Sequence, residues 1–346
     1  MIFIKKIKKI IKNFIYYTPE PVINRNFNLL DGKITEGVRL NIAKLGNKNS
    51  KKIFYVIKRT HGAGLFSNLS FVLNHLIIAK QFNFEPVIDM DNFVTWYNEK
   101  PRIMNTRNAW EYYFENISKI KLEEVYKSQC VIFTDNIYHK NFYRDDYYKS
   151  PKIKYIFDKY IKIKKFYYDE ANTFIKKNFG KSKVLGVYLR GGEFLKIANH
   201  HFPATLEQAI AKVKIIFNNE NYDKIFLSTK EEKYQKEFTK IFGDKLISFP
   251  SFKSNQDSMK IYPRPLHRYK MGKEILIETI ILSKLAGFFY SYTNVSQTSM
   301  LLNLNRSQKR YFVNNGKNHK NVFIAKLLWF LRSNLPENLG GFKNIK

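Results

Sequence analysis

The run Val184-Leu185-Gly186-Val187-Tyr188-Leu189 restricts the fold more than any other stretch of this chain. Apolar residues occupy both sides of its two-residue period, which is the pattern of a strand covered on both faces, as in a parallel sheet. The run then stops at Arg190-Gly191-Gly192-Glu193. Open α/β sheets bind ligands outside the carboxyl ends of their strands, so this order predicts Arg190 at a sheet edge, facing a crevice. A planar guanidinium matches a phosphate bidentately, and two glycines let a diphosphate approach the backbone. Taken alone, the same residues also suit an ordinary strand end with a solvated arginine and a glycine turn.

A chain of 346 residues is long for one core and comfortable for two. With 44% hydrophobic and 16% aromatic residues it is not a disordered chain. In the first half, residues 52–57 read as a strand, 61–68 as a glycine-containing loop, 69–81 as a helix and 85–89 as a second strand, which is a β-loop-α-β unit. Residues 108–115 read as a short aromatic helix and 131–134 as a strand, while the Tyr- and Lys-rich segment 136–180 bridges the halves with helical spacing. In the second half strands are expected at 184–189, 224–228, 246–249 and 288–292. Helices are expected at about 205–217, 231–241 and 273–285, and another opens at 296. The fold class is therefore α/β with two Rossmann-like halves and a cleft between them, an N-terminal domain over 18–165 and a C-terminal domain over 166–315.

Residues 1–17 stand apart as a basic amphipathic helix. Phe3, Ile4, Ile7, Ile10, Ile11, Phe14 and Ile15 share one helical arc, with Lys5, Lys8, Lys9 and Lys12 opposite. This pattern suits an anionic membrane surface, and equally an N-terminal helix packed on its own domain. No apolar run is long enough to span a bilayer and no signal-peptide core follows. Residues 316–346 form a second amphipathic helix and a tail. Sixty Lys and Arg against 29 Asp and Glu give a net charge of +31, which implies an anionic partner: nucleic acid, an acidic membrane or a phosphorylated substrate. The single cysteine, Cys130, forms no internal disulfide and has no cysteine partner for a metal site, which fits a reducing cytosol.

Three further stretches carry candidate chemistry. The loop from His61 to Asn68 contains Gly62 and Gly64, but lacks the third glycine of a dinucleotide fingerprint and the lysine of a P-loop. Asp89-Met90-Asp91 has the spacing of a carboxylate pair that holds a divalent cation, and the spacing of an ordinary acidic turn. Ser296-Gln297-Thr298-Ser299 opens a helix after an apolar strand, as an anion site at a helix N-terminus or as a simple cap. Glu278 lies among Ile277, Ile280 and Ile281, so it is either an exposed residue or one that reads a ligand donor. The seven histidines show no metal spacing, and no G-x-S-x-G elbow is present.

Taken in order, Gly186 to Glu193, His201-Phe202-Pro203 with Leu206-Glu207, Ile225 to Thr229, Ile275 to Glu278 with Ile281-Leu282-Ser283, and Ser296-Gln297 resemble the donor domain of the fucosyltransferase superfamily. That superfamily contains the α1,6-, nodulation-factor and protein O-fucosyltransferases. Gly62 to Asn68 resembles its glycine-rich loop, and the resemblance runs from about residue 52 to 305. It implies a GT-B fold, a GDP-fucose donor and an inverting, metal-independent glycosyl transfer with no bound cofactor. Arg190 would meet the β-phosphate, Glu278 the guanine, and Gly62, Gly64, Asn68, Thr229, Ser296, Gln297 and Thr298 the rest of the donor. Three departures stand out: Tyr188 replaces a histidine, one arginine stands where core enzymes have two, and Lys230 follows Ser228-Thr229 in place of an aspartate.

An acceptor hydroxyl benefits from a base, and Glu193, Asp91 and His61 are the candidates, with Glu193 first because it shares the loop of Arg190. Together with the basic helix, the resemblance implies a peripheral enzyme on the cytoplasmic face of the inner membrane. Its glycan acceptor would be a bacterial lipopolysaccharide, a capsule or a lipid-linked precursor. Another nucleotide sugar would suit the same fold. A basic RNA-binding or scaffold protein would explain the charge, but the sequence holds no nucleic-acid module and the ordered motifs would go unexplained.

Overall fold

A computed structural model of the chain describes residues 40–60, 62–134, 147–191, 197–256, 258–303 and 307–342. The predicted helix at residues 1–17 lies outside the described residues, as do His61 and Glu193. The chain divides into two compact units, one of Met1–Arg144 with Lys149–Lys162, the other of Asp145–Tyr148 with Ile163–Lys346.

The first unit is built on strands β1 (Leu40–Ala43), β2 (Phe54–Ile57), β3 (Glu85–Ile88) and β4 (Val131–Thr134) in the order β1-β4-β2-β3. Both pairings of β2, to β3 and to β4, are parallel, and β1 runs antiparallel to β4 at the edge. Every residue of β2 is completely buried, as a strand with neighbours on both edges and cover on both faces must be. Helix α1 (Leu65–Gln81) follows β2 and is buried nearly all round, which is why its apolar residues form no single stripe. A one-turn helix α2 (Leu122–Val125) precedes β4, and α3 (Pro151–Tyr160) returns to pack on α1. Ser150 caps α3 by accepting from the Ile153 amide, with Pro151 at the first helical position.

The second unit is a five-stranded parallel sheet. Helix α4 (Lys165–Asn178) leads into β5 (Val184–Leu189), then α5 (Leu206–Asn219), β6 (Lys224–Thr229), α6 (Glu232–Phe242) and β7 (Leu246–Ile247). After a proline-containing connection come α7 (His267–Leu282), β8 (Gly287–Tyr290), α8 (Asn294–Leu302), β9 (Lys309–Phe312) and α9 (Val322–Asn334). The strand order is β7-β6-β5-β8-β9, the order of a doubly wound sheet, whose direction of progress reverses between β5 and β8. Leu185, Val187 and Leu189 of β5 join Ile225 and Leu227 of β6, and Val213 and Phe217 of α5, in one buried cluster.

One segment differs in kind from the sequence expectation, and two helices start earlier than expected. Residues 108–115 form successive turns rather than a helix. Asn108 donates to the Ile88 carbonyl and accepts from the Met90 amide, which anchors the segment to the end of β3. Trp110, Tyr112, Tyr113 and Phe114 are all buried there, whereas a helix of such residues packed on one side would leave some exposed. Helix α1 begins at Leu65 and not at 69, because the Tyr97 hydroxyl accepts from the Leu65 amide and the Gly64 carbonyl accepts from Ser67 and Asn68. Helix α7 likewise starts six residues earlier than expected. Strands β1 and β9 had no sequence expectation; β9 is a mostly exposed edge bearing Lys309 and Arg310.

Gly287, the first residue of β8, has no room for a side chain. A β-carbon there would lie 2.1 Å from the Tyr222 hydroxyl, which is itself hydrogen-bonded to Tyr311. Gly287→Ala therefore overpacks the β5–β8 junction, at a cost of about 1–3 kcal/mol, read as a lower denaturant midpoint with an unchanged slope.

Candidate functional site

In a doubly wound sheet the ligand crevice opens at the carboxyl ends of the two strands that flank the reversal, here β5 and β8. Arg190 is the residue that follows β5. Beside it, Tyr188 is buried, and burial pushes its phenol up to about 12, with Arg190 drawing it down and Glu278 pushing it up. Tyr188 is thus a neutral hydroxyl that feels the charges of both Arg190 and Glu278. Gly191 is required next, since a β-carbon would meet Glu231 and the Tyr234 ring at 2.8 Å.

On the β8 side the chain turns into α8 through a capping box. Thr293 Oγ1 accepts from the Ser296 amide at 3.0 Å, and Ser296 Oγ accepts from the Thr293 amide at 3.1 Å. Ser296 Oγ also donates to the Ser291 carbonyl, and the residue is fully buried. The Ser296 hydroxyl is therefore engaged in the cap. The first-turn amides of Asn294 and Val295 remain as donors with no acceptor among the described residues, and they carry the positive end of the helix dipole. Gln297 is buried, and Thr298, also buried, exchanges a hydrogen bond with Tyr147 at 3.2 Å. Thr229 ends β6 and accepts from the Glu231 amide, so its hydroxyl shapes the turn there.

Glu278 is buried on α7. Its two carboxylate oxygens accept from Ser228 Oγ at 2.6 Å and Ser251 Oγ at 2.5 Å, tying helix, strand and the segment after β7 together. One turn earlier, Glu274 accepts from Arg264 at 2.6 Å and from the Phe252 amide at 3.2 Å. Lys230 stands 3.8 Å from the same carboxylate. Lys253 is held by the Phe249 and Ser251 carbonyls, and burial lowers its pKa. Sequence reasoning found Glu278 but missed Ser228, Ser251, Glu274, Lys253 and Arg264. The only sequence signal was the second acidic residue one helical turn before Glu278.

In the first unit the glycine-rich loop follows β2. Gly62 has φ +54°, and a β-carbon on it would come 2.8 Å from Asn68 Oδ1. Asn68 is buried, and its Oδ1 accepts from the Ala63 amide at 3.0 Å and from Arg59 at 3.3 Å. Arg59 also donates to the Ser67 carbonyl at 2.6 Å. The spacing from Gly62 to Asn68 thus encodes a latched loop: Asn68 holds the backbone of the turn, and Gly64 serves as the N-cap of α1.

Asp89 and Asp91 have different surroundings. Asp89 is fully buried and accepts from Tyr126 Oη at 2.5 Å, Asn92 Nδ2 at 2.9 Å, and the Asp91 and Asn92 amides. Burial raises its pKa against these four bonds. Asp91 is partly exposed and pairs with Arg107 at 3.3 Å. No group of three or more His, Cys, Asp or Glu side chains among the described residues is arranged to hold a metal ion.

A doubly wound unit with an arginine and open helix amides at its reversal point has the chemistry to receive an anionic group such as a phosphate. Comparison narrows the resemblance. The chain is 27% identical over 155 residues to the GDP-fucose protein O-fucosyltransferase 2 of Plasmodium berghei (strain Anka), a match covering 45% of this chain and 29% of that protein. It therefore spans less than a third of that relative's length. Similar solved structures include a NodZ α-1,6-fucosyltransferase soaked with GDP-fucose, at 15% identity and a TM-score of 0.48, over 72% of this chain and 92% of that one. Another is POFUT1 in complex with GDP-fucose, at 10% identity and a TM-score of 0.46, over 77% and 99%. No family model matches. The chain resembles the fucosyltransferase superfamily, and it carries the two α/β units in series that this resemblance implies.

Asp89 reads as structural, which gives a direct test. Asp89→Ala leaves four donors without an acceptor and should destabilise the protein by about 3 kcal/mol in urea unfolding. Nucleotide affinity of the remaining folded protein should not change.

Proposed function

We propose that the protein is an inverting glycosyltransferase that transfers fucose from GDP-fucose to a glycan acceptor. The observation that carries this reading is Arg190 at the β5–β8 reversal, beside a sheet edge where α8 offers two open amides. The sequence similarity to a GDP-fucose-using protein and the motif order support the identity of the donor. Transfer requires the acceptor oxygen to attack the sugar's anomeric carbon while the bond from that carbon to the β-phosphate oxygen breaks. Negative charge then grows on the departing diphosphate. Arg190 and the Asn294 and Val295 amides stabilise that charge without reorganising, so no metal is needed for the step. The acceptor proton leaves to a base, for which Glu193, Asp91 and His61 are the candidates.

Location at an anionic membrane surface, on the cytoplasmic face of the inner membrane, completes the proposal, with a surface glycan or its lipid-linked precursor as acceptor. Helix α9 supports it. Ala325, Trp329 and Arg332 face the unit: Ala325 is buried, Trp329 stacks on Phe202, and Arg332 donates to the Asn315 and Gly340 carbonyls. The opposite arc is also apolar, with Phe323 83%, Leu327 56%, Phe330 64% and Leu331 43% exposed. Lys320 and Lys326 lie exposed beside it. An apolar arc turned to solvent and edged by lysine is the arrangement of an interfacial helix. No helix among the described residues is long and apolar enough to cross a membrane.

Two measurements check these readings. Arg190→Lys keeps the charge but loses the fork, and transfer from GDP-fucose, assayed in EDTA, should fall on the order of 100-fold while wild-type activity persists. Near-normal transfer by the variant sinks the assignment. Replacing Phe323, Leu327 and Phe330 together with Ser should release the protein from phosphatidylglycerol-containing vesicles and leave transfer to a soluble acceptor unchanged. Retained sedimentation would remove α9 from the membrane contact.

A further inference from the structure

Parallel pairing sets Leu189 opposite Thr229, so Arg190 and Lys230 leave adjacent strands in step, about 5 Å apart along the carboxyl edge of the sheet. Arg190 stands at the reversal point. Lys230 lies one strand further from β8, on the side where the segment after β7 comes across to Glu274 and Glu278.

The ammonium of Lys230 is in an unusual position. Its side chain is 27% exposed, but Nζ itself is buried and has no hydrogen-bond acceptor among the described residues. The carboxylate of Glu274, 3.8 Å away, is already held at short range by Arg264 and the Phe252 amide. Arg264 Nη2 is a second buried donor without an acceptor. Three cations, Lys230, Lys253 and Arg264, surround the two buried carboxylates, and both Glu278 oxygens are occupied by serine hydroxyls. The cluster thus offers donors, not acceptors. Buried charged donors left unmade are costly, so this place suits a ligand that brings acceptors to it.

Resting on the proposed use of a GDP sugar, we infer that Lys230 reads the base: its ammonium donates to O6, with N7 alongside, on the guanine edge that carries two acceptors. A diphosphate anchored by Arg190 and the α8 amides extends its nucleoside along the sheet edge, and the β6 side is where the open donors stand. Adenine presents an amino donor where guanine presents O6, so an ammonium there selects against it. Glu278, engaged by Ser228 and Ser251, then shapes the site and does not contact the 2-amino group.

The test is isothermal titration of the full chain and its Lys230→Met and Lys230→Arg variants with GDP, IDP and ADP, with thermal unfolding to confirm that each variant is folded. Inosine keeps O6 and N7 and lacks the 2-amino group. Wild-type protein should bind GDP and IDP alike and ADP on the order of tenfold more weakly. Lys230→Met should weaken GDP and IDP by a similar factor and leave ADP unchanged, while Lys230→Arg keeps the preference. Equal weakening of all three nucleotides would make Lys230 a phosphate contact, and IDP much weaker than GDP in the wild type would return the reading to a carboxylate; either overturns the inference. Unaltered GDP preference in Lys230→Met overturns it too. Absence of binding by any nucleoside diphosphate to the wild type overturns the proposed function itself.

Discussion

The two-sided pairing of β5 is the constraint on which the second unit depends. Its residues bond to β6 along one edge and to β8 along the other, and all six are buried. Burying an aliphatic side chain contributes about 1.5–3 kcal/mol, so a run of this composition has one stable place, the middle of a covered sheet. Once it is there, the first charged residue after it must emerge at the carboxyl edge. Neighbouring strands fixed in parallel register deliver Thr229 and Lys230 to the same edge, and the turn from β8 delivers α8. The chemistry of the site is thus a consequence of register.

A second device secures that edge. Glu274 and Glu278 lie one turn apart on α7, and both are buried with their oxygens occupied. Desolvating two carboxylates is unfavourable, and removing one partner of such a group costs more than the pair itself contributes. Their effect is positional: they fasten the long connection between β7 and α7 at Ser251, Phe252 and Arg264. His267 continues the network, accepting from Arg264 Nε on Nδ1 and donating from Nε2 to the Ser258 carbonyl. Burial lowers its pKa, in keeping with the neutral imidazole this arrangement requires.

The sequence was legible where one segment determined its own environment. The apolar runs of β2, β4, β5 and β6 and the arginine at the end of β5 fall where their pattern puts them. Legibility failed where a distant residue decided the outcome. The start of α1 depends on Tyr97, far along the chain from Leu65, and the turns at 108–115 depend on Asn108 reaching Ile88 and Met90. The spacing of Asp89 and Asp91 suits a cation pair and an ordinary turn alike, and only the folded chain shows Asp89 occupied by Tyr126, Asn92 and its own turn; the bond from the Ala63 amide to Asn68 is equally invisible to spacing. The cluster around Glu274 draws on β6, α7 and the connection between β7 and α7, so no window of sequence contains it.

The order β7-β6-β5-β8-β9 also has a consequence for how the protein is made. Synthesis delivers β5, β6 and β7 first, and the partner for the other edge of β5 is β8, whose residues are translated only after α7. During that interval the chain holds an apolar strand with one bare row of amides and carbonyls, which is a template for pairing with another chain. The edge at which Arg190 and the start of α8 meet does not yet exist, so no ligand of that edge can protect the intermediate. The segment that organises the finished sheet is therefore also an aggregation hazard on the ribosome, and the yield of soluble protein depends on how quickly β8 closes that edge.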